Sequence, residues 1–472
     1  MKKLLILFIG LFAAVSCKDI SSYDINPKAA TKVEAGSLFS NAEKNLSDYL
    51  ASPNVNLNIY RMLAQHWTET TYIDEANYDL STRPIPQTVW HVLYRDILRD
   101  LKEAYDVVNK DNLLLPADKT NQLAMIDVLQ VFTFTMLVDT FGDVPYSMAL
   151  NTNNLLPAYD DGATIYADLV TRINTDIGNL TADTFANYDL IYGGSSASWK
   201  KFANSLKLRI GMNLADVNPT ASKTIVEQAA PNVFTSNSDN ATFNYLDAPP
   251  NTNPIWVNLV QSGRKDFVAA NTLVDVMNTL VDPRRPFYFT KDNGGLVYTG
   301  GIYGSNNSYT IYSKVADAIQ VETFPSLIMD YSEVEFYLAE ATARGFSVGG
   351  TEAGHYNNAI TASMSWWGVD AASISAYLLN PSVAYGSAAG TYKQKIGTQK
   401  WLALYNRGYE AWVEWRRLDY PVLVAPPEAL SAIPVRYTYP VSEQNLNVTN
   451  YNAAASKIGS DKVTTKVFWD IN

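Results

Sequence analysis

The stretch WKKFANSLKLRI, residues 199–210, is the most distinctive part of this 472-residue sequence. Three of its apolar side chains recur at a spacing of four: Phe202, Leu206 and Ile210. This spacing is typical of one face of an α-helix that packs on its neighbours. We expect its three lysines to remain in solvent: Lys200, Lys201 and Lys207. The stretch therefore predicts a helix within a larger helical assembly.

The same periodicity predicts a mainly α fold. Helices are predicted at residues 89–109, 122–141, 164–180, 198–214, 220–230 and 272–280. Residues 332–344 and 353–366 are predicted to form a close helical pair that resembles one tetratricopeptide-type unit. Any antiparallel helical hairpin would show the same pattern, so this pair alone does not decide between the two.

The segment 122–141 is long and apolar enough to suggest a membrane span. Three polar residues interrupt it: Asp127, Gln130 and Asp139. An Asp at the centre of a membrane costs about 2.5–3.5 kcal/mol on insertion scales. The segment is therefore interpreted as a helix that is buried on most sides within a bundle.

Composition limits the classes of function. Hydrophobic residues make up 47% of the chain, and the net charge is −11. The acidic balance argues against nucleic acid and against electrostatic binding to anionic lipid. The single cysteine, Cys17, excludes disulfides within the chain. Three histidines in all, His66, His91 and His355, disfavour transition-metal sites and His-based catalytic triads.

Catalytic and nucleotide-binding motifs are missing from the sequence. It contains no GxSxG, GxxxxGK[ST], GxGxxG or HExxH pattern. Asp160-Asp161 and Glu333 with Glu335 are paired carboxylates, but most such pairs are helix caps or solvated faces. We therefore expect a protein that is not an enzyme, with no catalytic residue, metal or cofactor.

The N-terminus predicts secretion and lipid anchoring. Lys2 and Lys3 precede an apolar run at residues 4–14, which is typical of a signal peptide. The sequence AVSC at residues 14–17 resembles the lipobox of bacterial lipoproteins. We predict a signal peptide at 1–16, a lipidated Cys17 with a flexible tether at 17–30, and one composite domain at 31–472. An ordinary signal peptide with a chance cysteine is the alternative.

Nine sequence blocks occur in an order that resembles the SusD-like (SusD/RagB-type) family of Bacteroidota outer-membrane lipoproteins. The blocks are FGDVPYSMA (141–149), PAYD (157–160), WKKFANSLKLRI (199–210), DPR (282–284), residues 333–345, QKWLALY (399–405), EAWVEWRR (410–417), RYTYPVSE (436–443) and FWD (468–470). Phe141 and Met148 depart from the residues that are usual in the family. We interpret the blocks as scaffold, with helical charge pairs of a few tenths of a kcal/mol between Glu410, Glu414 and Arg416-Arg417.

The resemblance implies a fold and a function. The fold is a right-handed superhelix of tetratricopeptide-like pairs, packed against a loop-rich ligand-binding part with insertions around 231–261 and 282–325. The function is that of an outer-membrane lipoprotein facing the cell exterior. It would capture oligosaccharide or oligopeptide as the lid of a SusC-like TonB-dependent barrel. The alternatives are a glycan- or peptide-degrading lipoprotein and a protein-interaction scaffold.

Two segments are candidates for ligand binding. The glycine-rich loops at 282–325 carry four tyrosines in a composition typical of binding loops: Tyr298, Tyr303, Tyr309 and Tyr312. The resemblance adds the stretch before the 89–109 helix, with Trp67, Tyr72, Asp74, Glu75, Asn77, Tyr78 and Arg83. Aromatic faces with amide, carboxylate and guanidinium groups suit sugar rings or an extended peptide. The alternative is that these aromatic residues pack against the scaffold.

Overall fold

The computed structural model of the protein describes residues 33–292 and 294–471. The predicted signal peptide, the predicted lipidation site at Cys17 and the tether lie outside the described residues. Residues from Ala35 onward belong to one compact unit. The predicted domain boundaries remain predictions.

Helices dominate the described residues, which confirms the predicted mainly α fold. In the first half of the chain they are α1 (Ala35–Ala51), α2 (Tyr60–Leu63), α3 (Ile85–His91), α4 (Arg99–Lys110), α5 (Pro116–Phe141), α6 (Gly162–Asn179), α7 (Ser196–Asn213) and α8 (Pro219–Ala229). In the second half they are α9 (Pro254–Trp256), α10 (Asn271–Thr279), α11 (Arg285–Tyr288), α12 (Tyr331–Ala343), α13 (Glu352–Trp366), α14 (Ala371–Leu378), α15 (Tyr392–Ala403), α16 (Gly408–Leu418), α17 (Val441–Leu446) and α18 (Val448–Lys457). Val92–Leu98 and Val257–Gln261 are π-helical.

In the part of the chain that the structure describes, four short strands form two antiparallel pairs. They are β1 (Trp67–Glu69), β2 (Ala241–Phe243), β3 (Phe267–Ala269) and β4 (Ser326–Met329). β1 pairs with β3, and β2 pairs with β4 across an irregular register. β2 lies within the irregular stretch 231–261, and β4 directly follows the irregular stretch 282–325. Both strands contact α1.

The predicted helical pair is present as α12 and α13. Asp330 caps α12 by accepting a hydrogen bond from the Glu333 amide at 2.7 Å, and Thr351 caps α13 in the same way. The Ser332 hydroxyl bonds the Ala359 carbonyl at 2.8 Å, so the two helices approach closely. The predicted helical-pair architecture is confirmed.

Helix α5 is the core of the first half of the fold. It is the one helix among the described residues that is long and apolar enough to cross a membrane. However, 89% of the most apolar 18-residue segment of this helix is buried inside the protein, as in the core helix of a soluble protein. The prediction of a helix buried on most sides is confirmed.

Helix α7 contains the WKKFANSLKLRI stretch and is more deeply buried than its sequence suggests. Phe202, Leu206 and Ile210 are fully buried, as predicted. Lys207, however, is only 5% exposed, and its ammonium group donates to Gln228 Oε1 at 3.0 Å. The prediction that Lys207 stays in solvent is wrong, because α8 and its neighbours cover the helix on more than one side.

Buried ion pairs connect the helices of the second half. Arg417 of α16 donates to Glu340 of α12, and Lys400 of α15 donates to Glu414 of α16. Arg416 instead donates to main-chain carbonyls, those of Asp139 and Val435. One of the expected helical charge pairs is present, between Glu414 and Arg417 at 2.7 Å. The charges of residues 410–417 lie inside the protein, however, and most of their bonds cross between helices.

Candidate ligand-binding surface

The two segments expected to bind ligand lie against each other. The Asn307 amide donates to the Thr70 carbonyl at 3.0 Å, and the Asn77 side chain donates to the Gly304 carbonyl at 2.8 Å. The rings of Tyr78 and Tyr303 are 6.4 Å apart. Segments separated by more than 200 residues thus form one surface.

Glycines allow the tyrosine-rich loop to lie this close. A Cβ at Gly300 would be 2.4 Å from the main-chain N and Cα of Asn271. At Gly304, where φ is +74°, a Cβ would overlap Pro426. Only glycine meets both steric demands without displacing the loop.

Five of the predicted ligand-binding residues are buried: Glu75, which is paired with Arg83, and a set of four, Trp67, Asn77, Tyr78 and Tyr303. Trp67 is only 1% exposed and donates its indole N–H to Tyr405 Oη at 3.1 Å. The Tyr303 hydroxyl donates to the Met62 carbonyl at 2.7 Å. For these four, packing against the scaffold is the arrangement that the structure shows, and they support the surface from below.

The other predicted residues reach solvent. Tyr72 is 69% exposed, and Asp74 is exposed beside it. The remaining four are half-buried: Arg83, Tyr298, Tyr309 and Tyr312. The ammonium groups of Lys265 and Lys314 lie 5.7 and 5.1 Å from the centre of the Tyr309 ring. These cation–π contacts hold that ring in place at the surface.

A small cavity opens beside Tyr72. It is lined by Val55, Glu69, Thr70, Thr71, Tyr72, Arg83, Arg264 and Asp266. Arg264 and Asp266 form an ion pair at 2.9 Å, and the Thr70 amide donates to the Asp266 carbonyl. No pattern of glycine or tyrosine marks Arg264 and Asp266 in the sequence. The pairing of β1 with β3 brings them to the site.

Two buried carboxyl groups lie under this cavity. Glu69 accepts a hydrogen bond from the Ala76 amide at 3.0 Å, and Glu75 is bonded to Arg83. Burial, followed by the neighbouring Glu75, raises the pKa of Glu69 to about 9. Burial thus favours the neutral form of Glu69, while Glu75 is the partner of the arginine.

Replacing Glu69 by glutamine is expected to stabilise the protein at pH 8 and to change little at pH 5. The folded-state pKa of Glu69 lies above its unfolded value of about 4.5, so its contribution to stability is complete below that value. It is lost as the pH rises towards 9. Glutamine stays neutral throughout and removes this loss. Melting temperatures of both proteins at pH 5 and pH 8 provide the measurement.

Glu75→Gln is the matched control for this pH effect. It removes the charged partner of Arg83, so it is expected to destabilise the protein at both pH values. Equal melting temperatures for wild type and Glu69→Gln at pH 8 would show that Glu69 is ionised in the folded protein.

The carboxylate pairs identified in the sequence have structural partners. Glu333 binds Arg209 and Arg407, and Glu335 binds His355. Asp160 accepts from the amides of Tyr146 and Ser147, while Asp161 caps α6. Among the described residues, no group of three or more His, Cys, Asp or Glu side chains is placed to hold a metal ion.

Known proteins resemble this chain over almost its whole length. A family model described as "Starch-binding associating with outer membrane" (SusD-like_2) matches residues 27–440. A solved chitin-binding protein is 26% identical, with a TM-score of 0.82 over 93% of this chain and 100% of its own. A SusD homologue from Bacteroides uniformis is 25% identical, with a TM-score of 0.77 over 92% and 99%.

A chitin-binding SusD homologue from Flavobacterium johnsoniae is 24% identical and has the same fold, with a TM-score of 0.79 over 92% of this chain and 99% of its own. Among the curated proteins, none matches the chain significantly.

Proposed function

Because the chain belongs to the SusD-like family of starch-binding proteins associated with the outer membrane, we propose that it is a surface lipoprotein that binds oligosaccharides. It would deliver them intact to a TonB-dependent barrel of the SusC type. The observation that carries the proposal is the exposed ring of Tyr72 beside a polar cavity. The likeness to a chitin-binding protein at 26% identity adds support.

The chemistry of the cavity favours a neutral ligand. Its two arginines are already paired, Arg83 with Glu75 and Arg264 with Asp266. A charged group on a ligand would have to compete with the carboxylates that already pair with these arginines. A sugar hydroxyl carries no net charge, and it both accepts and donates hydrogen bonds. An aromatic face with paired polar groups at its edge therefore suits a pyranose ring better than a charged peptide terminus.

Binding without cleavage fits the positions of the carboxyl groups. Glycosidases need two carboxyl groups that flank the scissile bond. Of the two carboxyl groups that line the cavity, Glu69 is buried and Asp266 is paired with Arg264 at 2.9 Å. This arrangement supports a role in capture rather than in hydrolysis.

Lipid anchoring and delivery to a barrel rest on different grounds. The AVSC sequence that ends at Cys17 supports attachment to the membrane by lipid alone. Membership of a family associated with the outer membrane supports the location, with the binding face towards the cell exterior. The proposal of a SusC-type barrel as the partner rests on the resemblance to the family.

Replacing Tyr72 by alanine is expected to weaken oligosaccharide binding about tenfold, which corresponds to about 1.4 kcal/mol. The reason is the loss of the exposed ring on which a sugar would stack. Calorimetric titration of the chain from residue 18 onward with chitohexaose, maltohexaose and an oligopeptide panel measures the effect. Ligand recovered after titration is checked for cleavage.

Two variants make this test specific. Tyr72→Phe keeps the ring and should retain most of the affinity. Tyr385→Ala removes a half-buried tyrosine that packs on Tyr356, outside the cavity, and should leave binding unchanged. Saturable binding of peptides alone would replace the glycan assignment, and cleaved product would contradict a purely binding role.

A further inference from the structure

A second cavity lies where the segment before β4 meets the end of α13 and the start of α16. Its volume is about 20 Å³. Three half-buried aromatic residues line it: Phe324, Trp366 and Trp367. Two buried charged residues, Arg407 and Glu410, also line it. It therefore combines an aromatic wall near the surface with a polar interior.

The aromatic wall is rigid on one side. The Trp367 ring packs edge-on against Tyr288 at 4.8 Å and is stacked with Phe324 at 6.1 Å. Asn253 donates to the Phe324 carbonyl at 2.6 Å and so fixes the loop before β4. Trp366, the last residue of α13, stands next to this fixed pair and is partly exposed. The wall thus presents aromatic surface in a defined position.

The interior has polar groups without partners. Arg407 donates to Glu333 Oε2 at 2.7 Å and to the Ile328 carbonyl at 3.1 Å. Its Nε and Nη1 atoms make no hydrogen bond, although Nη1 lies 3.2 Å from Asp330 Oδ1. Glu410 Oε1 likewise accepts no hydrogen bond, although Arg407 Nη2 lies 3.5 Å away. A buried polar group that lacks a hydrogen bond destabilises the folded protein. A polar occupant of the cavity would accept hydrogen bonds from the two Arg407 nitrogens and donate one to Glu410 Oε1.

Charge and size restrict that occupant. Arg209 and Arg407 face Asp330, Glu333 and Glu410, so the charges of the cluster already face opposite charges. An ion would have to compete with these partners, and a neutral occupant would not. A cavity that holds one water needs about 10–15 Å³, so this one fits a single hydroxyl group or a water molecule.

We propose that this cavity is a second sugar subsite, at which a pyranose ring lies on Trp366 and places one hydroxyl group between Arg407 and Glu410. The subsite rests on the proposed glycan-binding function. Its position fits one extended ligand: Leu50 and Ala51 line this cavity, and Val55 lines the cavity beside Tyr72. Four residues span at most about 14 Å, so a single oligosaccharide of several rings is long enough to occupy both subsites.

Titration of the chain from residue 18 onward with chitohexaose and maltohexaose tests the proposal on the Trp366→Ala, Trp366→Phe and Trp256→Ala variants. We expect Trp366→Ala to weaken binding about tenfold and Trp366→Phe to weaken it less, because phenylalanine keeps an aromatic face. Trp256 is also half-buried but does not line the cavity, so Trp256→Ala should bind like the wild type.

The outcomes separate the subsite from the general function. If the wild type binds neither sugar, the glycan-binding function and the subsite both fail. If Tyr72→Ala weakens binding while both Trp366 variants bind like the wild type, only the subsite fails. Circular dichroism of each variant confirms folding, and Trp366→Phe provides the decisive comparison if the alanine variant does not fold.

Discussion

Replacing Glu340 by alanine is expected to lower the free energy of unfolding by about 3–5 kcal/mol. The carboxylate is fully buried and accepts hydrogen bonds from Arg417 at 2.7 and 2.5 Å and from Arg344 at 2.8 Å. Burial alone would raise the pKa of Glu340, but the guanidinium of Arg417 brings it below its usual value. The variant would leave two guanidinium groups short of a counter-charge, one of them completely buried.

Urea denaturation followed by circular dichroism measures this loss. Glu103→Ala is the matched control, because Glu103 lies exposed on α4 and its removal should change stability by less than about 0.5 kcal/mol. A loss below about 1 kcal/mol for Glu340→Ala would show that the ion pairs between α12 and α16 add little to stability.

The periodicity of apolar residues predicts where helices form, but it does not predict that charged residues such as these are buried. The spacing of Phe202, Leu206 and Ile210 correctly indicated a helix and its buried face. It did not show that the opposite face is covered as well, so Lys207 was expected in solvent. The same applies to Glu410, Glu414 and Arg417, whose spacing suits a solvated helix surface. Their burial depends on how several helices assemble, which local sequence does not encode.

The candidate site was predictable by region but not by side chain. Glycine and tyrosine composition indicated the loop at 282–325, and the family resemblance indicated residues 67–83. An irregular loop has no period that tells which side chains face outward, so Tyr72 and Trp67 were equal candidates although one is exposed and the other buried. Arg264 and Trp366 carry no local signal, because strand pairing and helix packing place them at the cavities.

Replacing Trp401 by alanine is expected to lower the free energy of unfolding by about 3–5 kcal/mol and to loosen the binding surface. Trp401 is buried at the end of α15, donates its indole N–H to the Ala64 carbonyl at 2.8 Å, and packs on the His66 ring at 5.0 Å. Burial lowers the pKa of His66 to about 3, so this ring is a neutral packing partner. Truncation would open a cavity directly behind β1.

The scaffold and the binding surface are coupled at this contact. β1 is held from the scaffold side by Trp401 at His66 and by Tyr405 at Trp67, both from the same QKWLALY block. Trp401→Phe keeps most of the apolar volume and loses the indole hydrogen bond, so a smaller loss of stability is expected. Hydrogen exchange at residues 67–70 should accelerate more in Trp401→Ala than in Glu340→Ala, whose lost contacts lie between α12 and α16. Equal rates of hydrogen exchange at residues 67–70 in the two variants would contradict this coupling. The contact between Trp401 and His66 would then stabilise the fold without positioning Tyr72, and the loops themselves would hold the binding surface in place.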